Sequence, residues 1–179
     1  QHPALVAYII ITFDVYWFYK SFTLAIFAIR SYITLTAHVK VDWLAQAAKE
    51  PGFDTVYHTV IIPEHNEPIH VLRRTLENLT KQDFPRDRII IVLATEDKDP
   101  NARETGILLK NEFGSKFGKF IVTRHVLHFG EVAGKSSNMA WAAKKLVRQL
   151  ADWNIPIDQT TVTSCDADAL LHPKYFSAL

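Results

Sequence analysis

The run Ile89-Ile-Ile-Val-Leu93 constrains the fold of this chain more than any other stretch. Five consecutive aliphatic residues suit a strand covered on both faces, and such strands belong to parallel sheets flanked by helices. Other segments fit the same plan. Tyr57–Ile62 reads as a buried strand stopped by Pro63, Phe120–Thr123 as a strand that can run on towards Leu127, and Thr160–Cys165 as a fourth. Between them lie helical periods. Pro68 suits the first position of a helix, because it lacks the amide that would be orphaned there. That helix packs on Val71, Leu72, Thr75, Leu76 and Leu79. Asp99-Pro100-Asn101 opens a second helix, packed through Ala102, Ile107, Leu108 and Phe113. A third runs from Gly134 to about Leu150 on Met139, Ala143, Leu146, Val147 and Leu150. The alternation predicts an α/β fold, a Rossmann-like, mostly parallel sheet with flanking helices. In such sheets ligands bind beyond the carboxyl ends of the strands.

The mean hydropathy near zero averages two unlike regions. From Ala4 to Ile29 the chain is almost continuously apolar, and about 20 such residues cross a ~30 Å hydrocarbon core. Tyr16, Trp17, Tyr19 and Lys20 resemble an interfacial belt. One geometry ends the span near Tyr19 and lays Phe22–Leu35 along the membrane surface; the other is a single tilted helix through Ile29. A long buried helix of a soluble protein is the third alternative. Asp14 is costly at mid-membrane and belongs against another helix or at an interface. Arg30, Lys40 and Lys49 follow the apolar run and only His2 precedes it. The positive-inside rule therefore puts the remainder on the cytoplasmic side, at an inner or plasma membrane. Pro51-Gly52 separates residues 1–50, transmembrane and interfacial, from a globular domain over 51–179.

Four polar clusters sit just after strands. Asp166-Ala167-Asp168 gives two carboxylates at i and i+2, an oxygen-rich corner for a hard divalent cation. Pro63-Glu-His-Asn-Glu-Pro68 offers Asn66 and Glu67 as hydrogen-bonding groups for a base or ribose, or as an ordinary helix cap and dipole partner. Gly134-Lys-Ser-Ser-Asn138 places Lys135 beside helix amides, where a diphosphate would be held. The spacing is not that of a Walker A loop. Glu96-Asp-Lys-Asp99 follows the second strand and reads equally as a turn and cap. A net charge of +1 gives no reason to expect a nucleic-acid partner. The single cysteine, Cys165, rules out an internal disulfide and suits a small core position.

Taken in order, VIIPEHNEP, RIIIVLATEDKDP, GKSSNMAWA and VTSCDADALLHP resemble family-2 glycosyltransferases of the GT-A fold, membrane-bound type, over roughly His58 to Leu179. The resemblance implies inverting, metal-dependent transfer of a sugar from a UDP- or GDP-sugar to a saccharide or lipid acceptor. Pro63, Asn66 and Glu67 match the segment around the nucleotide. Lys135 and Asn138 match the segment whose lysine reaches the diphosphate. Asp166 and Asp168 match the Asp-x-Asp that binds ribose, diphosphate and Mn2+ or Mg2+. The chain departs from the family after the second strand, where Glu96 or Asp97 stands in for the base-reading aspartate. The family's general base lies further along than Leu179, so the expectation is a donor-binding piece that does not turn over alone. Three alternatives stay open: a phosphotransferase with an Asp-x-Asp nucleophile, a nucleotidyltransferase, and a membrane-anchored nucleotide-binding scaffold without turnover. The phosphotransferase pair normally follows the first strand, and the nucleotidyltransferase loop is rich in glycine, which Pro63–Pro68 lacks.

Overall fold

The computed structural model describes residues 2–132 and 134–179. The chain divides into two compact units, one ending at Asp42 and the other running Trp43–Leu179.

The first unit is one unbroken helix, α1 (Pro3–His38, 36 residues). The turn onto a surface after Tyr19 does not form, since no helix-breaking residue separates Tyr19 from Phe22. At 1.5 Å per residue α1 is about 54 Å long, more than a bilayer core requires. It is long and apolar enough to cross a membrane, and none of its described residues is buried in the structure. Apolar side chains are exposed on every side of it, from Leu5 to Leu35. Three of its threonines, Thr12, Thr23 and Thr36, each donate the hydroxyl to the carbonyl four residues back, at 2.8 Å.

The second unit begins with a short helix, α2 (Trp43–Ala47). Its sheet has β1 (Tyr57–Pro63), β2 (Ile89–Glu96), β3 (Lys119–His125) and β4 (Thr160–Ser164) in the order β3-β2-β1-β4. Every pairing is parallel, with Val60 opposite Ile91 and Thr163, and Val92 opposite Ile121. All eight residues of β2 are buried, as the aliphatic run requires. Alternation sends them to opposite faces. Val60, Ile62, Ile89, Ile91 and Leu93 pack against α3 (Ile69–Leu79) and α4 (Ala102–Phe113). Ile61, Ile90, Val92 and Ala94 pack against α5 (Lys135–Asp152).

Details differ from the sequence reading. Pro68 sits one residue before α3 rather than within it. The buried face of α4 is Ala102, Gly106, Leu109 and Phe113, while Ile107 and Leu108 face outwards. Gly106 is the reason. A Cβ there would lie 2.8 Å from Val122 Cγ1, so the helix seats its bare backbone against β3. On α5 Val147 is likewise exposed, and Ala142 takes its place in the core.

Among the buried polar groups of this unit, His58 and Arg88 have partners within the core. His58 Nδ1 meets Thr161 Oγ1 at 2.5 Å across the β1–β4 pairing. Burial, then the Arg88 charge, push its pKa down to about 4, so the ring is neutral at pH 7. The Arg88 guanidinium lies over the rings of Phe53 and Phe84, at 4.6 and 4.8 Å.

Gly118 donates its amide to Ile89 at 3.0 Å and to Arg86 at 2.8 Å, and a Cβ there would overlap the Asp87 carbonyl. Gly118→Ala should therefore cost about 3 kcal/mol or more of stability. Gly114→Ala, whose Cβ meets only the Lys110 side chain at 3.8 Å, should be neutral or slightly stabilising. Denaturant midpoints of the two variants check the contrast.

Candidate functional site

In the order β3-β2-β1-β4 the chain winds outward from β1 to β3, then crosses back to lay β4 on the other side of β1. The crevice where such a winding reverses, past the carboxyl ends of the strands, is where ligands sit in open α/β sheets. A cleft of about 450 Å³ lies there. Its walls come from the loop after β1, the end of β2, the start of α5 and the segment after β4.

One backbone atom joins three of these walls. The Ala94 carbonyl, near the end of β2, accepts the Glu64 amide at 2.8 Å and Asn138 Nδ2 at 2.8 Å. Asn138 is buried, so this amide fixes the first turn of α5 to the sheet. The corner after β4 is held from the other side. Cys165 donates its amide to Ile61 at 3.0 Å, and the Thr75 hydroxyl of α3 donates to the Ala167 carbonyl at 2.5 Å.

Six of the nine residues expected at the site line the cleft: Pro63, Glu67, Glu96, Lys135, Asn138 and Asp166. Lys135 donates from Nζ to Asp166 Oδ1. Both side chains are more than half exposed, so the pair adds little stability and is free to exchange partners. Asn66, Asp97 and Asp168 are off the lining. Asn66 borders an adjoining groove with Asp99 and Asn101. Its φ is 56°, a left-handed conformation that asparagine tolerates, and it makes no side-chain cap to α3. Asp97 pairs with Arg124 of β3 instead. Of the two carboxylates expected to stand for a base-reading aspartate, Glu96 therefore faces the cleft and Asp97 does not. Asp168 is exposed beyond the corner.

Glu64, His65, Lys98 and Asp99 lie in the clusters singled out from the sequence, which gave none of the four a site role of its own and read Asp99 as a turn and cap residue. His65 Nδ1 approaches Glu96 Oε2 at 3.4 Å, and both line the cleft with Lys98. Glu64 is 2 % exposed and shares a hydrogen bond with Asp99, itself 4 % exposed. Strand alternation was the available signal: Val60 and Ile62 face α3 and α4, so residue 64 faces the loop that leads into α4. Asp99 ties that loop down, accepting from the amides of Asn101 at 2.8 Å and Asn66 at 3.3 Å. Burial disfavours the Asp99 charge, but those amides and the Glu64 hydrogen bond outweigh it and hold its carboxyl below the usual range. Glu64 moves the other way. Burial first, then Asp99, push it up to about 7. The result is a carboxylic acid bridged to a carboxylate, joining the loop after β1 to the loop after β2.

Cys165 lacks the lowered thiol pKa of an activated nucleophile. Burial, then the charges of Asp166 and Asp168, push its thiol up to about 11. Among the described residues no three His, Cys, Asp or Glu side chains gather into a ready metal cage. A hard cation of the Mg2+ type does not need one, because it takes one or two carboxylates and completes its shell with phosphates and water. Asp166, with its oxygens at the cleft and Asp168 two residues on, is compatible with that mode.

No family model and no curated protein matches this chain. Similar solved structures include a mannosyltransferase, PcManGT from Pyrobaculum calidifontis, in complex with GDP-Man and Mn2+ (19 % identity, TM-score 0.47). Another is S. aureus TarS 1–349 in complex with UDP-GlcNAc (20 % identity, TM-score 0.41). The matches cover 75 % and 63 % of this chain, and this chain spans 36 % and 27 % of theirs.

Between its ordinary value of 4.5 and about 7, Glu64 binds more protons folded than unfolded. Its stabilising contribution is therefore full at low pH and lost as pH rises through about 7. His58 pulls the opposite way between about 4 and 6.5, so the raw pH profile mixes the two. Comparison with Glu64→Gln, which is neutral throughout, isolates the carboxyl. The variant should gain about 2 kcal/mol on wild type between pH 5 and pH 8 in urea unfolding. A difference that does not change with pH would refute the bridge.

Proposed function

We propose that the cleft binds a nucleotide-sugar and that the protein transfers the sugar, with inversion, to a saccharide or lipid acceptor. The observation that carries this reading is the Lys135–Asp166 contact inside a cleft at the topological switch point. It brings together, from segments 31 residues apart, the cation and the carboxylate of the Gly-Lys-x-x-Asn and Asp-x-Asp motifs.

The chemistry of the lining supports an anionic ligand that arrives with a cation. Glu67, Glu96 and Asp166 face Lys98 and Lys135, so a diphosphate alone would meet a surplus of carboxylates. A bound Mn2+ or Mg2+ would offset the charge of the departing diphosphate. Asp166 and Asp168 are the residues to hold it. Lys135 then exchanges its carboxylate partner for a phosphate oxygen, backed by the free amides at the start of α5. Glu96 accepts hydrogen bonds from the base, with His65 holding its carboxylate in place. Asn138 serves from behind, fixing the helix that presents Lys135. The base that takes the acceptor's proton is not assigned to any of these residues.

The apolar α1 is proposed to be the membrane anchor, with the second unit on the cytoplasmic side of an inner or plasma membrane. The basic residues Arg30, Lys40 and Lys49 near the end of the apolar run support that side.

Calorimetry on the full chain in detergent micelles, with UDP- and GDP-sugars in the presence and absence of Mn2+, tests the reading. Binding should require the metal. Lys135→Ala should weaken it roughly ten- to a hundredfold, the range for loss of a charged hydrogen bond. Asp166→Asn should abolish the gain in binding that Mn2+ confers. Binding indifferent to Mn2+, or unchanged in both variants, would overturn the proposal.

A further inference from the structure

Away from the cleft, the outer edge of β3 carries backbone bonding capacity that the sheet does not use. β3 ends the order β3-β2-β1-β4, so alternate N–H and C=O groups along its far side have no strand partner among the described residues. Edges of this kind are normally blunted by a proline, a bulge, a covering element or charged side chains, and β3 carries two such charges, Lys119 and Arg124. Lys119–His125 contains no proline, and its register with β2 is unbroken from Ile90–Lys119 to Glu96–His125.

A groove of about 600 Å³ follows this edge, touching Ile121, Val122, Thr123 and Arg124 in succession. Successive strand side chains point to opposite faces, so a groove touched by four in a row tracks the backbone edge itself. Its walls are basic. Lys110 comes from α4, Arg124 from β3, and Lys145 and Arg148 from α5, against one carboxylate, Asp152. Arg124 shares its charge with Asp97, and Lys145 lies 4.8 Å from the centre of the Trp141 ring. Lys110 and Arg148 form no ion pair among the described residues. Two buried polar atoms of groove residues, Thr123 Oγ1 and Trp141 Nε1, have no hydrogen-bond partner.

We propose that this edge docks an extended acidic protein segment, which adds to the sheet as a further strand beside β3. Main-chain hydrogen bonds to the unpaired edge supply affinity, and acidic side chains meeting the basic walls select the partner. A second copy of this chain does not fit the role. Edge-to-edge pairing of two β3 strands would set the same four cations against each other. The proposal is independent of what the cleft binds.

The test uses the full chain in detergent micelles and a fluorescein-labelled peptide, Glu-Val-Glu-Val-Glu-Val-Glu, read by anisotropy. Saturable binding that weakens with added salt is expected, together with slowed hydrogen exchange of β3 amides. Lys145→Glu combined with Arg148→Glu should weaken binding at least about tenfold, with the circular dichroism spectrum unchanged. A peptide N-methylated at every residue keeps the charge but can donate to the ladder from neither edge, and should not bind. Equal binding of the N-methylated peptide would show attraction by charge alone and overturn the proposal. So would equal binding of the Lys-Val counterpart, undiminished binding to the charge-reversed protein, or sedimentation showing self-association through this edge.

Discussion

The burial of β2 on both faces is the constraint from which the second unit follows. A strand with eight buried residues can be covered only if helices occupy both sides of the sheet. Right-handed crossovers put α3 and α4 on one side and α5 on the other once the chain changes winding direction. That change of direction opens the crevice at the ends of β1 and β4. The cleft is thus a product of how β2 is buried, and the residues after each strand inherit their place in it.

Much of this was legible because strands and helices leave periodic signals. The four strands and three sheet-packing helices follow from aliphatic runs, proline stops and helical spacing. The failures are instructive for the same reason. Ile107 and Leu108 satisfy an apolar count, yet the helix turns Gly106 inwards, because close approach to Val122 depends on the absence of a side chain. Hydrophobic periodicity carries no signal for that.

At the site, motif residues were legible and their roles were less so. Lys135 and Asp166 meet, as two well-spaced motifs suggested. Asp97 and Glu96 are adjacent and chemically alike, and only the pairing of Asp97 with Arg124 on a neighbouring strand tells them apart. Glu64 was hidden by its own burial. A carboxyl is expected at the surface, and its acid–carboxylate bridge to Asp99 spans residues from loops after two different strands. Contacts of that kind depend on the sheet order, which local patterns do not encode.

The doubly used carbonyl of Ala94 has a mechanical consequence. Its two lone pairs hold Glu64 on one side and Asn138 on the other, so the first loop and the start of α5 hang from one oxygen. A ligand that draws α5 inwards by its phosphates would lengthen one of these bonds and let the other shorten. On the proposed nucleotide-sugar reading, occupancy near Lys135 would then be transmitted to the loop after β1 through a single peptide unit, without motion of the sheet. The Glu64 amide, which donates to that oxygen, is where hydrogen exchange would register the transmission.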